Sequence, residues 1–282
     1  MRSTRMAVLA GGACVCGCAG EALGQEAMYT EAATMPSPGV FVYRTQLHFS
    51  RYGTKPDSDV ESVEKFEFNH SLQYGLARAL SARLDFSPVW ETEHKKGGGK
   101  DHDNGVADFD AMLKWRFYKS DTGGVDTLRA ALIAGARFAS GDDKDFSTQS
   151  VNPHVGAVVT LVRGRHGFNQ EVDYTFNTGG SGIDNTEGGQ GSADAFKYSS
   201  AYLFRLFPER FTSESTGAWY VTAELTGLIE TNGDHDIRWS PGLMYEGQRF
   251  AFELMAQFPL WHDLDERPEL DFAVGVGLRF TF

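Results

Sequence analysis

Several residue sets in this chain have the types and spacing to do chemistry. His48 and Ser50 lie two apart, so on one strand face the imidazole could take the serine proton and make a nucleophile. Asp108-x-Asp110 with Asp234-His235 offers a second acid–base set. Three oxygen-rich clusters could attract Ca2+: Asp101-His102-Asp103-Asn104, Asp142-Asp143-Lys144-Asp145 and Asp263-x-Asp265-Glu266. None has the Gly at position six and the distal Glu of a calcium loop, so solvated loops are the better reading. The glycine-rich stretch 179–191 has no following Lys and no strand–helix frame, so it reads as a flexible loop and not a phosphate cradle. No metal and no cofactor is expected.

The largest chemically competent set is a long series of charges on one parity of alternating runs. In the first run Phe41, Tyr43, Thr45, Leu47 and Phe49 share one parity, and Arg44, Gln46, His48 and Ser50 share the other. Strand side chains alternate faces, so the run has one apolar and one polar face. Similar runs follow near 64–76, 80–91, 106–118, 128–140, 153–163, 169–176, 196–206, 219–230, 239–245, 250–258 and 270–282, making twelve. Their polar parity carries Arg44, Glu67, Arg83, Asp85, Asp108, Asp110, Lys114, Arg116, Arg129, Arg137, Glu171, Asp173, Arg205, Glu224 and Arg279. The runs at 128–140 and 153–163 are richer in Ala and Val.

Most runs have about 10–13 residues, against about 5–6 for a soluble strand, and a tilted strand needs roughly 9–11 to cross a bilayer. Turn-rich gaps alternate between long (53–63, 92–105, 140–152, 178–194, 231–236, 260–269) and mostly shorter ones (76–79, 119–127, 164–166, 208–217, 246–249). Long outer loops and short inner turns are the outer-membrane pattern. Trp90, Trp115, Trp219 and Trp239 fall at strand ends, where a girdle of indoles would meet the lipid headgroups. The expectation is an all-β, transmembrane, antiparallel up-and-down barrel of about twelve strands. Its lumen would be lined by the fifteen charged residues above, and its exterior would meet outer-membrane lipid and lipopolysaccharide.

The N-terminus reads as a secretory signal. Arg2 and Arg5 precede an apolar run from Met6 to Ala19, and Ala22-Leu23-Gly24 resembles a cleavage site. The expected division is a signal peptide over 1–24, an irregular periplasmic lead-in over 25–39, and a barrel over 40–282. Cys14, Cys16 and Cys18 would leave with the signal, although Val15-Cys16-Gly17-Cys18 loosely resembles a lipoprotein box. Removing the signal takes the net charge from −12 to about −13 by simple counting. So acidic a chain lacks the clustered Lys and Arg that nucleic-acid binding needs. Mean hydropathy is −0.33, and no segment beyond the N-terminus could form a membrane helix.

The closing residues Gly277-Leu278-Arg279-Phe280-Thr281-Phe282 resemble the terminal signature of bacterial outer-membrane barrels. That resemblance implies recognition of Phe280 and Phe282 by the barrel assembly machinery. More narrowly, Ser240-Pro241-Gly242-Leu243-Met244-Tyr245, Phe252-Glu253-Leu254, Gln257-Phe258-Pro259-Leu260 and the final strand resemble the MetA-pathway of phenol degradation family of outer-membrane transporters. The resemblance implies a bacterial outer-membrane location and a small-molecule solute, aromatic or hydrophobic. It carries over no binding residues. A channel for passive passage is the expected function, and an enzyme is not expected. Two alternatives stand beside it. His48-x-Ser50 resembles the element of outer-membrane acyl hydrolases, although strand parity points both residues inward. The inward charges could also form a salt-bridged plug in a purely structural barrel.

Overall fold

Alternation over runs this long leaves each strand with an apolar face to cover, and an open sheet would leave unpaired edges in lipid. The chain answers both demands by closing on itself. The computed structural model describes residues 25–54, 59–142, 146–179, 193–265 and 267–282. The expected signal sequence, with its three cysteines, lies outside the described residues.

The strands are β1 (Phe41–Tyr52), β2 (Val60–Ala77), β3 (Leu80–Phe86), β4 (Pro88–Lys95), β5 (Lys100–Val106), β6 (Phe109–Thr122), β7 (Asp126–Phe138), β8 (Asn152–Arg163), β9 (His166–Thr175), β10 (Ala195–Phe207), β11 (Gly217–Glu230), β12 (His235–Gly247), β13 (Phe250–Asp263) and β14 (Leu270–Thr281). All pairings are antiparallel, and β1 bonds both β2 and β14, so the ring is closed. At the seam Phe41 and Phe282 exchange backbone hydrogen bonds of 2.8 and 3.0 Å. Twelve strands make the ring. The other two, β4 and β5, continue β3 and β6 beyond the rim as a hairpin. The pairing of β2 runs without a shift from His70↔Phe86 to Glu67↔Val89, so Ser87 interrupts β3–β4 but does not turn the chain. Much of the expected loop 92–105 is therefore strand, because ladder bonds persist into water once a hairpin is paired.

At mid-strand the exterior is largely apolar: Leu47, Val276 and Leu254 lie in register across β1, β14 and β13, and all are exposed. One expected parity fails locally. Arg51 pairs with Phe272 but Tyr52 pairs with Leu270, so Asp271 is an extra residue on β14. That bulge turns Leu270 inward onto Tyr52, Val60, Val63 and Ala273, and leaves Asp271 outside with Arg51 at 3.4 Å.

The lead-in departs further from expectation. Residues 25–35 do not lie outside the barrel; most of them are buried inside it without strand structure. Two inward apolar patches hold this strap. Ala33 and Met35 pack on Ala131, Ile133, Val158 and Met112, while Ala27 packs on Ala201, Leu203, Ala218, Tyr220 and Met244. The Ala and Val of β7 and β8 are apolar on both faces because one face meets lipid and the other meets the strap. Gly75 and Gly167 receive the strap's two ends: a Cβ at Gly75 would collide with the Ser37 carbonyl, and one at Gly167 with the Gln25 side chain.

A charge on the exterior gives a direct test. Leu47→Arg, at the middle of β1, should cost about 2–4 kcal/mol in reversible unfolding from lipid vesicles. A change well under that range would show that this face does not meet hydrocarbon.

Candidate functional site

The lumen is built from the inward parity of the ring and from the strap crossing it. Glu224 of β11 is almost fully buried and accepts three consecutive backbone N–H groups, from Met28 (3.0 Å), Tyr29 (3.0 Å) and Thr30 (2.8 Å). Glu171 of β9 accepts the N–H of Glu31 at 3.0 Å, and the Thr160 hydroxyl oxygen accepts that of Ala33 at 2.8 Å. Donors from the wall meet the carbonyls: Asn169 donates to Gln25 (2.7 Å), Arg44 to Ala27 (2.7 Å) and Lys114 to Ala32 (2.9 Å).

The strap brings two carboxylates with it. Glu31 pairs with both Arg83 and Lys114. Glu26 lies 3.0 Å from Arg279 and 3.4 Å from Arg44, and Glu253 closes on Arg44 at 2.7 Å. Each strap carboxylate thus meets two cations of the wall.

Beside and above the strap the lumen is open. A vestibule of about 700 Å3 faces the outer side, bordered by His48, Ser50, Glu67, Asp85, Asp110, Arg137, His154, Asp173 and Arg238 among others. A second space of about 270 Å3 lies between the strap and the wall of β1–β3, bordered by Arg44, Gln46, Asn69, Ser71, Gln73 and Arg279. In the vestibule His154 bridges two carboxylates, 3.0 Å from Asp173 and 3.3 Å from Asp110. At the outer rim Arg267 is buried against Glu230 (2.7 Å), Asp236 (3.4 Å) and Asp234 (3.7 Å).

The fifteen residues expected in the lumen divide into three groups. Arg44, Arg83, Lys114, Glu171, Glu224 and Arg279 hold the strap. Glu67, Asp85, Asp108, Asp110, Arg137 and Asp173 border the vestibule. Arg116, Arg129 and Arg205 lie toward the inner rim and tie turns: Arg116 donates to the Arg78 carbonyl at 2.7 Å, Arg129 reaches Asp121, and the Arg205 guanidinium lies 4.2 Å over the Phe211 ring. Trp90, Trp115, Trp219 and Trp239 are all exposed on the exterior, as are Phe280 and Phe282. His48 and Ser50 are buried on the lumen side, away from lipid acyl chains. Asp108-x-Asp110 and Asp234-His235 are not brought together: His235 faces out to Tyr198 and Trp261, and Asp234 holds the Asp265 N–H at 2.7 Å. Among the described residues no group of three or more His, Cys, Asp or Glu is placed to hold a metal.

Sequence reasoning missed Glu26, Glu31, Glu246, Glu253 and the strap itself. The available signal was Ala131, Ile133, Val158, Ala201 and Leu203 on a parity that should face water.

No protein-family model matches the chain, and no curated protein matches it. Among solved structures, an outer membrane channel from Pseudomonas putida F1 superposes with a TM-score of 0.60 at 12% identity, over 88% of this chain and 97% of that one. The β-domain of the Bordetella autotransporter BrkA superposes with a TM-score of 0.51 at 9% identity, over 86% and 100%. At these identities the likeness is one of fold. This chain is an outer-membrane β-barrel. Its closed ring and largely apolar exterior are those of a barrel that spans the bacterial outer membrane.

One carboxylate outside the strands has a clear electrostatic role. Asp108, between β5 and β6, accepts the N–H groups of Ser140 (3.0 Å), Gly141 (2.9 Å) and Thr148 (2.8 Å) and the Thr148 hydroxyl (2.8 Å). Partial burial opposes its charge, but the donors outweigh that and hold its pKa below the ordinary 3.8. A lowered folded pKa means the loop's anchoring is complete above 3.8 and is lost as pH falls through the lowered value.

Two tests follow from this geometry. Amide protection at Gly141 and Thr148, corrected for intrinsic exchange, should fall on acidification below the ordinary carboxylate range, and Asp108→Asn should abolish that dependence. Glu31→Ala leaves Arg83 and Lys114 without the strap carboxylate. Breaking a buried pair in this way costs up to about 3–5 kcal/mol, so residues 25–35 should become protease-sensitive while the barrel still shifts on unboiled gels. A strap as resistant as wild type would refute the role of Glu31.

Proposed function

We propose that this barrel is a channel for the passive passage of small molecules across the outer membrane. The observation that carries the reading is the uncovered polar wall. The strap leaves Gln46, Asn69, Ser71, Gln73, Asp85 and Ser87, on β1, β2 and the β3–β4 junction, bordering open space on its far side. That space adjoins the outer vestibule. A structural barrel sealed by salt bridges has no need of such a wall, because polar side chains without solute or water to meet are costly to bury.

The fold likeness to a protein described as an outer membrane channel supports the same reading. The resemblance of the C-terminal third to the MetA-pathway of phenol degradation family suggests aromatic or hydrophobic compounds as the solute. Export through the 1–24 signal, assembly through Phe280 and Phe282, and a headgroup-level girdle of Trp90, Trp115, Trp219 and Trp239 belong to the same proposal.

Charge adds a preference. The vestibule is bordered by ten carboxylates against five lysines and arginines. A wall of that sign concentrates cations, so the channel favours them over anions of equal size.

Reconstitution into planar bilayers tests this. Wild-type protein should give discrete conductance steps, with a reversal potential in a KCl gradient of the sign for cation preference. Deleting residues 26–34 should enlarge the steps several-fold, since wider pores conduct more. Silent bilayers from both proteins would reject the channel in favour of a structural barrel.

A further inference from the structure

We infer that Tyr29 is the neck of this passage and sets the cross-section of what crosses it; the inference rests on the channel reading. The vestibule and the smaller space share a border, and Tyr29 is the one aromatic side chain on both, among the described residues. Its ring stands edge-on to His48 of β1, with centroids 5.4 Å apart and planes at 88°. It therefore reaches from the strap toward the wall that the strap leaves uncovered.

The position of that ring is fixed by its backbone. Its own N–H and those of its two neighbours end on one buried carboxylate, Glu224, and two residues on Glu31 is gripped by Arg83 and Lys114. None of these anchors uses the phenol ring. A change of the side chain leaves those anchors in place, which separates a neck from a plug.

The charged residues on the shared border are Arg83, Lys197, Asp85 and Glu171, and their charges cancel. The neck therefore adds no net field, and the ion preference arises above it in the vestibule. Discrimination at the neck is by size and by contact with the face of a ring. A small flat solute that is uncharged or zwitterionic meets the least resistance there, and a bulky branched one the most.

The test uses the full-length mature protein with Tyr29→Ala and Tyr29→Trp, each checked for a boiling-dependent gel shift and a protease-resistant strap. In planar bilayers with molar KCl, Tyr29→Ala should raise the conductance step about twofold or more, and Tyr29→Trp should lower it below wild type. In liposome swelling, Tyr29→Ala should admit larger sugars than wild type does. If both variants conduct as wild type does while deletion of 26–34 opens the pore, the strap narrows the lumen elsewhere and Tyr29 is not the neck. If wild type, both variants and the deletion are all silent, the channel reading fails, and the neck fails with it.

Discussion

An irregular segment can lie at membrane depth only if each of its backbone polar groups finds a partner, because no sheet or helix supplies one. In the strap many of those partners are side chains of the wall. Glu224, Glu171 and Thr160 receive its N–H groups, and Asn169, Arg44 and Lys114 donate to its carbonyls. Acceptors come from β8, β9 and β11, and donors from β1, β6 and β9. On five strands of the ring an inward residue is thus matched to the direction of a peptide group in the strap. The need arises from size: eight strands are filled by their own side chains, whereas twelve leave room that something must occupy.

The charges of the lumen follow from the same constraint. Within the ring Arg83 already meets Asp85, and Arg44 and Arg279 meet Glu253 and Glu246. The strap adds Glu31 against Arg83 and Lys114, and Glu26 against Arg44 and Arg279. Desolvating such pairs offsets much of their attraction, so their value lies less in stability than in register. A strap shifted by one residue would set Ala32 or Thr30, in place of Glu31, against two cations. The apolar ends, Ala27 and Met35, add area burial that does not depend on register. Charge fixes where the strap sits, and apolar contact helps keep it there.

The ring was legible in the sequence because its cause is local. Lipid outside and polar groups inside impose period two on every strand, and Phe41 through Phe49 or Val274 through Phe282 display it without help from any other segment. The strap was not legible, because its causes are distant. Gln25 to Met35 shows neither period, and apart from Arg44 and Gln46 of β1 what holds it lies 52 to 253 residues away. Only an indirect trace remained: Ile133, Val158 and Leu203 on the inner face of strands whose outer face was already apolar. The bulge at Asp271 escaped for a related reason, since a parity count along one strand cannot detect an extra residue opposite its neighbour. Charged lumen positions were legible as a class, but not their division between the strap, the vestibule and the inner rim. That division depends on depth in the barrel, which alternation does not encode.

The asymmetry of the strap's attachment is what turns a filled lumen into a passage. If its only purpose were to fill space, apolar contacts would be expected on every side, since burial is non-directional. Instead its two buried apolar clusters lie on β6–β8 and on β10–β12, while toward β1–β3 it is tied by polar contacts such as those of Arg44 and Arg83, and Met28, Tyr29 and Thr30 border open space opposite Gln46, Asn69, Ser71 and Gln73. Those facing side chains are amides and a hydroxyl, groups that exchange hydrogen bonds with water or a passing solute at little net cost. One side of the lumen is therefore packed and the other is polar and open between its ion pairs. A segment packed on one side and wet on the other narrows a pore without closing it.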